Sequence, residues 1–88
     1  MKVLIFYQPV SEHARTVEEF MHEFNRRYPE SELTLVDVDS IKGSQQAEVY
    51  DIIQYPTVMA TTDAGATLQR WDGGVMPLMN EVAYFANQ

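Results

Sequence analysis

The 88-residue chain reads as an α/β domain of order βαβαββα, a four-stranded mixed sheet flanked by three helices. Three observations predict it. The continuous apolar run Lys2–Tyr7 is followed by a helical stripe of apolar residues and then by a second, weakly alternating strand, which is the pattern of a strand–helix–strand unit. At Tyr55-Pro56 a helical stretch hands over to an apolar strand, because proline disfavours helix in the residue before it. Beyond that point two strands flank Asp63-Ala64-Gly65, a loop with hairpin chemistry.

Each element has its own signal. Lys2–Tyr7 has the length and uniform apolarity of a parallel strand covered on both faces, and Gln8-Pro9-Val10 ends it. From Ser11 or Glu12 to about Arg27, Ala14, Val17, Phe20, Met21 and Phe24 form one stripe, with Glu18, Glu19, Glu23 and Arg26 opposite, so one face of this helix meets a core. Tyr28-Pro29-Glu30-Ser31 is a turn, and Leu33–Asp39 is a second strand reached by a right-handed crossover. Gly43 or Ser44 is expected to cap the next helix, in which Ala47, Tyr50 and Ile53 recur at helical spacing. Strands follow at about Thr57–Thr62 and Ala66–Asp72. Gly73-Gly74 then releases the chain into a last helix with Pro77 at its first position and Met79, Val82, Ala83 and Ala86 along it.

Composition narrows the class of function. A chain this short makes one domain, residues 1–88, which buries somewhat more than about 60% of its unfolded surface. Six Lys and Arg against 13 Asp and Glu give a net charge of −7, which argues against a nucleic-acid partner, since phosphate binding needs clustered cations. The one adjacent basic pair, Arg26-Arg27, suits a helix C-terminus. No apolar run approaches the roughly 20 residues of a membrane span, and the start lacks a signal-peptide pattern, so no membrane partner and a cytoplasmic location are expected. The cysteine count is zero, which removes disulfides, thiolate metal sites and every thiol-based mechanism.

The frame Ala47-x-x-Tyr50-x-Ile52-x-x-Tyr55-Pro56-Thr57, with Gly65 at the last hairpin and Gly73 before the final helix, resembles the thioredoxin superfamily over essentially the whole chain. The size is nearer glutaredoxin. The resemblance implies a minimal thioredoxin-like fold and a cis peptide bond between Tyr55 and Pro56. It also locates what is missing. The family's C-x-x-C motif falls on Ser11-Glu12-His13-Ala14, with Pro9 similar to the proline before the glutaredoxin motif, and the buried proton-transfer acid of the first strand falls on Ile5. Nucleophile, resolving thiol and acid are all absent. A serine hydroxyl does not ionise near neutral pH without a base, so no thiol–disulfide oxidoreductase and no catalytic residues are expected.

A hydrolase reading of Ser11 and His13 is weaker than the structural one. Positions i and i+2 of a helix point apart, and Ser11 suits a helix N-cap. His13 reads as a solvated first-turn residue and His22 as a surface residue among Glu18, Glu19 and Glu23. Two histidines and no cysteine make a poor transition-metal set, and Asp37 with Asp39 reads as solvated carboxylates at a strand end, so neither metal nor cofactor is expected.

What the resemblance leaves is a binding surface. Thioredoxin-like domains hold an extended peptide at the residue before the cis-proline, here Tyr55, so the groove would be formed by Val10, Ser11, Glu12, His13, Tyr55, Pro56, Gly73 and Gly74. Tyr7, Trp71 and Met76 are candidates for an apolar rim, and the last strand for an open sheet edge. The expected partner is a protein or extended peptide, a second copy of the chain included. The alternative is a glutathione-like small molecule in the glutaredoxin groove, although the aspartate that follows the glycine pair in glutaredoxins is missing from Gly73-Gly74-Val75-Met76-Pro77. The clock protein KaiB is also similar in this general sense: thioredoxin-like, without C-x-x-C chemistry, and acting by protein association.

Overall fold

The computed structural model describes residues 1–87. Its elements run β1 (Lys2–Tyr7), α1 (Ala14–Arg27), β2 (Thr34–Asp37), α2 (Ile41–Val49), β3 (Thr57–Thr61), β4 (Thr67–Trp71) and α3 (Met79–Ala86). The sheet order is β2-β1-β3-β4, with β1 parallel to β2 and the other pairs antiparallel. Beyond Lys2, β1 is buried throughout, as its unbroken apolar sequence requires of a central strand.

Alternation along β1 builds two cores. Val3, Ile5 and Tyr7 join Val17, Phe20 and Phe24 of α1 and Val82 and Ala83 of α3 on one face. Leu4 and Phe6 join Val36, Val38, Ala47, Ile52 and Met59 beneath α2 on the other. Burying each of these large side chains contributes about 1.5–3 kcal/mol against leaving it in water. Among the described residues, no helix is long and apolar enough to cross a membrane.

Several boundaries differ from the sequence reading, each for a local reason. Helix α1 starts at Ala14 rather than at Ser11 or Glu12. His13 is its N-cap, and Ser11 closes a turn in which the Ala14 N–H donates to the Ser11 carbonyl at 3.3 Å. Ser11 is therefore not the cap. The cap of α2 is Ser40, whose Oγ accepts from the Gly43 N–H at 3.0 Å, and Gly43 lies inside the helix. A Cβ on Gly43 would stand 1.8 Å from the Asp37 carbonyl oxygen, so a glycine is needed where α2 leaves β2 this closely. The helical stripe stops short of Ile53, because Asp51 turns into the left-handed region at φ 54°. The Ile52 N–H then donates to the Ala47 carbonyl (2.9 Å) and the Asp51 N–H to the Glu48 carbonyl (3.1 Å), a Schellman closure with Ile52 against Ala47 in the core. Pro77 lies two residues ahead of α3 rather than at its first position.

Candidate functional site

The register brings four chain segments to one end of the sheet. Tyr7 pairs with Asp37, Phe6 with Thr57 and Val58 with Trp71, so β1, β2 and β4 end where β3 begins. Around that end lie residues 8–13, 52–56 and 72–76, which hold every residue expected to form the groove.

In the first segment, side chains of Ser11 and His13 grip one peptide unit each side of Gln8. The Gln8 N–H donates to His13 Nε2 at 3.2 Å, and Ser11 Oγ donates to the Gln8 carbonyl at 2.6 Å. Serine and imidazole are thus committed to the backbone rather than to each other, which removes the geometry a serine nucleophile needs. Val10 and Glu12 project into solvent.

The second segment carries the cis Tyr55-Pro56 bond. Pro56 is buried, and Tyr55 packs partly against the α2-side core. Thr57, also buried, donates through Oγ1 to the Gln54 carbonyl at 2.6 Å and approaches Asp72 Oδ1 at 3.4 Å. A cavity of about 310 Å³ opens beside Tyr55, bordered by Ser44, Glu48, Asp51 and Ile53. In the third segment Gly73 (φ 99°) and Gly74 (φ 75°) both occupy the left-handed region. A Cβ on Gly74 would lie 3.5 Å from the Tyr55 carbonyl oxygen, so this segment runs directly past the residue before the cis-proline.

The rim differs from the sequence expectation. Tyr7 is core, and its burial, with Glu18 and Asp37 nearby, raises the phenol pKa. Trp71 is half-buried and meets Phe85 edge-on at 5.7 Å, while Met76 packs partly against the same core. The apolar side chains left in solvent here are Val10 at 93% exposure, Ile53 at 85% and Val75 at 75%, one on each segment. Periodicity had placed Ile53 on a helix face, and an isolated valine after two glycines carried no signal.

Arg70 and Asp72 also went unread. The Arg70 guanidinium donates to both Asp72 oxygens (2.8 and 3.0 Å), to the Tyr50 carbonyl (2.6 Å) and to the Asp51 carbonyl (3.1 Å). It satisfies carbonyls that the end of α2 leaves without helical partners. Nothing local in sequence joins a strand arginine to a helix end 19 and 20 residues away. Among the described residues no group of three or more His, Cys, Asp or Glu could hold a metal ion. Asp37 instead accepts from the Asp39 N–H at 2.8 Å.

No protein-family model matches the chain, and no curated protein matches it. Solved structures do. Thioredoxin O2 from Arabidopsis thaliana in its oxidized state superposes with a TM-score of 0.68 at 17% identity, over 94% of this chain and 69% of the other. Mitochondrial thioredoxin 3 from Saccharomyces cerevisiae, in its oxidized form, gives 0.69 at 16% identity, over 97% and 74%. Thioredoxin 1 from Thermosipho africanus gives 0.67 at 15% identity, over 99% and 91%. The fold is thioredoxin-like, in a minimal form, on a chain without cysteine.

Proposed function

We propose that this thioredoxin-like domain is a redox-inactive binding module. It takes an extended segment of a protein, or of a second copy of itself, at the end of the sheet around Tyr55-Pro56. The carrying observation is the trio Val10, Ile53 and Val75, three of the most exposed large aliphatics, one on each segment surrounding that bond. Single exposed aliphatics are ordinary, whereas one on each of three segments that lie at the same end of the sheet supports association there. Without cysteine there is no thiol for exchange chemistry. The outer edge of β4, exposed from Thr67 to Gln69, offers a second route of strand addition. A small anionic thiol compound fits less well: Glu48 and Asp51 border the cavity beside Tyr55, and the Arg70 guanidinium nearby is already engaged.

The test is a displayed library of extended peptides panned on the purified domain, followed by amide shift mapping of the selected binders on the labelled protein. Shifts centred on Val10–His13, Tyr55 and Gly73–Val75, abolished by Val10→Asp with Val75→Asp, are expected. Binders that map to the exposed face of α1 or to β2 would refute the groove.

A further inference from the structure

Resting on the reading of this sheet end as a binding groove, we propose that His13 is a proton-operated latch on it: neutral, it occupies the backbone N–H of Gln8, the residue that follows β1, and protonated, it releases that donor to the groove. The Val38 N–H donates to the Tyr7 carbonyl at 3.1 Å, so the peptide groups of Tyr7 face β2. If the extended backbone of β1 carries on by one residue past Tyr7, alternation turns those of Gln8 the opposite way, to the side on which β3 pairs with β1. There the N–H meets His13 Nε2 and the carbonyl meets Ser11 Oγ.

An N–H can donate to Nε2 only if that nitrogen carries no hydrogen, so this bond requires a neutral imidazole with its proton on Nδ1. Proton uptake places a second donor opposite the first, and the two separate. The same charge would stand at the start of α1, where the Val17 N–H donates to the His13 carbonyl at 3.1 Å and the helix dipole repels a cation. The Ser11 bond does not titrate in this range, so the segment stays anchored while the imidazole swings away.

The charged groups of the neighbouring segments have other partners or face solvent. Arg15 is committed to Glu19 (3.0 Å) and Asp72 to Arg70, while Asp37 accepts from the Asp39 N–H. Glu12, Glu18, Asp39 and Asp51 are exposed carboxylates, and buried Tyr7 stays neutral.

Nitrogen-15 spectroscopy of the free protein from about pH 8 to about pH 5, the range in which imidazoles titrate, tests the latch. Near pH 8 the His13 ring should show a bare Nε2. As it takes up a proton, the Gln8 amide should shift with the same midpoint and exchange faster with water than its intrinsic pH dependence allows. In His13→Phe the Gln8 amide should lose that midpoint, and the His22 titration should leave Gln8 untouched. A Gln8 amide that stays fixed while His13 titrates, or a protonated Nε2 at pH 8, overturns the proposal. Because these measurements use free protein, their outcome is independent of the groove reading. A peptide that binds the groove should bind between about twofold and tenfold tighter at pH 5 than at pH 8, the worth of one net hydrogen bond, and equally at both in His13→Phe. Equal affinity in the unaltered protein would defeat the latch and leave the groove standing.

Discussion

Arg70 Nη1 donates to the carbonyl oxygen of Tyr50 at 2.6 Å, so a single guanidinium on the sheet's edge strand closes the end of the helix that precedes the Tyr55-Pro56 turn. Through Asp72 the same group sits one contact from Thr57, the residue after the cis-proline. Charge-assisted hydrogen bonds each contribute about 1.5–3 kcal/mol, less where water competes, and Arg70 is partly exposed. Arg70→Ala should therefore lower the unfolding free energy by about 2 kcal/mol in a denaturant titration, with Arg70→Lys recovering only part because a lysine cannot span the carbonyls and the carboxylate together. A loss below about 0.5 kcal/mol would mean that the staple is dispensable.

Asp51 holds φ at 54°, a conformation that glycine adopts without strain and that aspartate tolerates better than most. Its side chain is exposed and its N–H already closes the Schellman turn. Relief of left-handed strain outweighs the extra unfolded-state freedom of glycine here, so Asp51→Gly should raise the midpoint of thermal unfolding by an amount worth about 0.5 kcal/mol. Asp51→Val, β-branched at positive φ, should lower it.

Much of this architecture was legible because it is periodic. The buried run of β1, the stripe on α1 and the break at Tyr55-Pro56 each express a backbone rule within a few residues of sequence, and together they order the elements. Gly43 was misread because its role is set across space by the Asp37 carbonyl, and a glycine demanded by close approach looks in sequence like one that stops a helix. The turns at Tyr55-Pro56 and Gly73-Gly74, which meet at one end of the sheet, were legible through proline and glycine chemistry. The exposed trio was not, since exposure of Ile53 follows from the left-handed turn at Asp51, which no pattern of apolar residues announces.

Glu23 accepts from both Arg26 and Arg27 on α1, and the bond from Arg26, then that from Arg27, hold its carboxyl down at about 2, against an ordinary 4.5. A carboxyl pKa that is lower in the folded state stabilises the fold above the unfolded value and loses that contribution as pH falls from about 4.5 through about 2. The stability difference between the protein and Glu23→Gln should be present near neutral pH and vanish toward pH 2. It should also shrink in molar salt, because all three groups are open to solvent. A difference that is flat across this range would assign the pairing no energetic role.

The single tryptophan reports on the rim. Trp71 leans on Phe85 at the seam between β4 and α3 and shares the core of Val58 and Val82. Truncation of a fully buried aromatic removes about 3–5 kcal/mol, so Trp71→Ala, half-buried, should cost about 2 kcal/mol. Measured by circular dichroism, that loss should exceed any change in peptide affinity, whereas Val10→Asp should do the reverse. Were Trp71→Ala to leave stability intact and abolish binding, the apolar contact surface would lie on β4.

The last expectation concerns Ser11 and Ala14, on which the family resemblance sets the C-x-x-C cysteines. The Ala14 N–H donates to the Ser11 carbonyl at 3.3 Å, which makes residues 11–14 a hydrogen-bonded four-residue turn. The Cα atoms at the ends of such a turn lie less than about 7 Å apart, close to the range of about 4.4–6.8 Å that a disulfide spans. Ser11→Cys with Ala14→Cys should therefore close a bond under mild oxidation, read by mass spectrometry and by protection from alkylation. Ser11 is partly accessible and Ala14, the first residue of α1, is buried in the core, so the first sulfur alone should react with a bulky alkylating agent when the pair is reduced. The double variant should turn over slowly as a disulfide reductase, because Ile5, fully buried in β1 at the position where the resemblance expects a proton-transfer acid, carries no ionisable group. Efficient turnover would show that a scaffold able to support the reaction persists around Ser11. Failure to oxidise would show instead that the register of the first helix against the family motif is displaced.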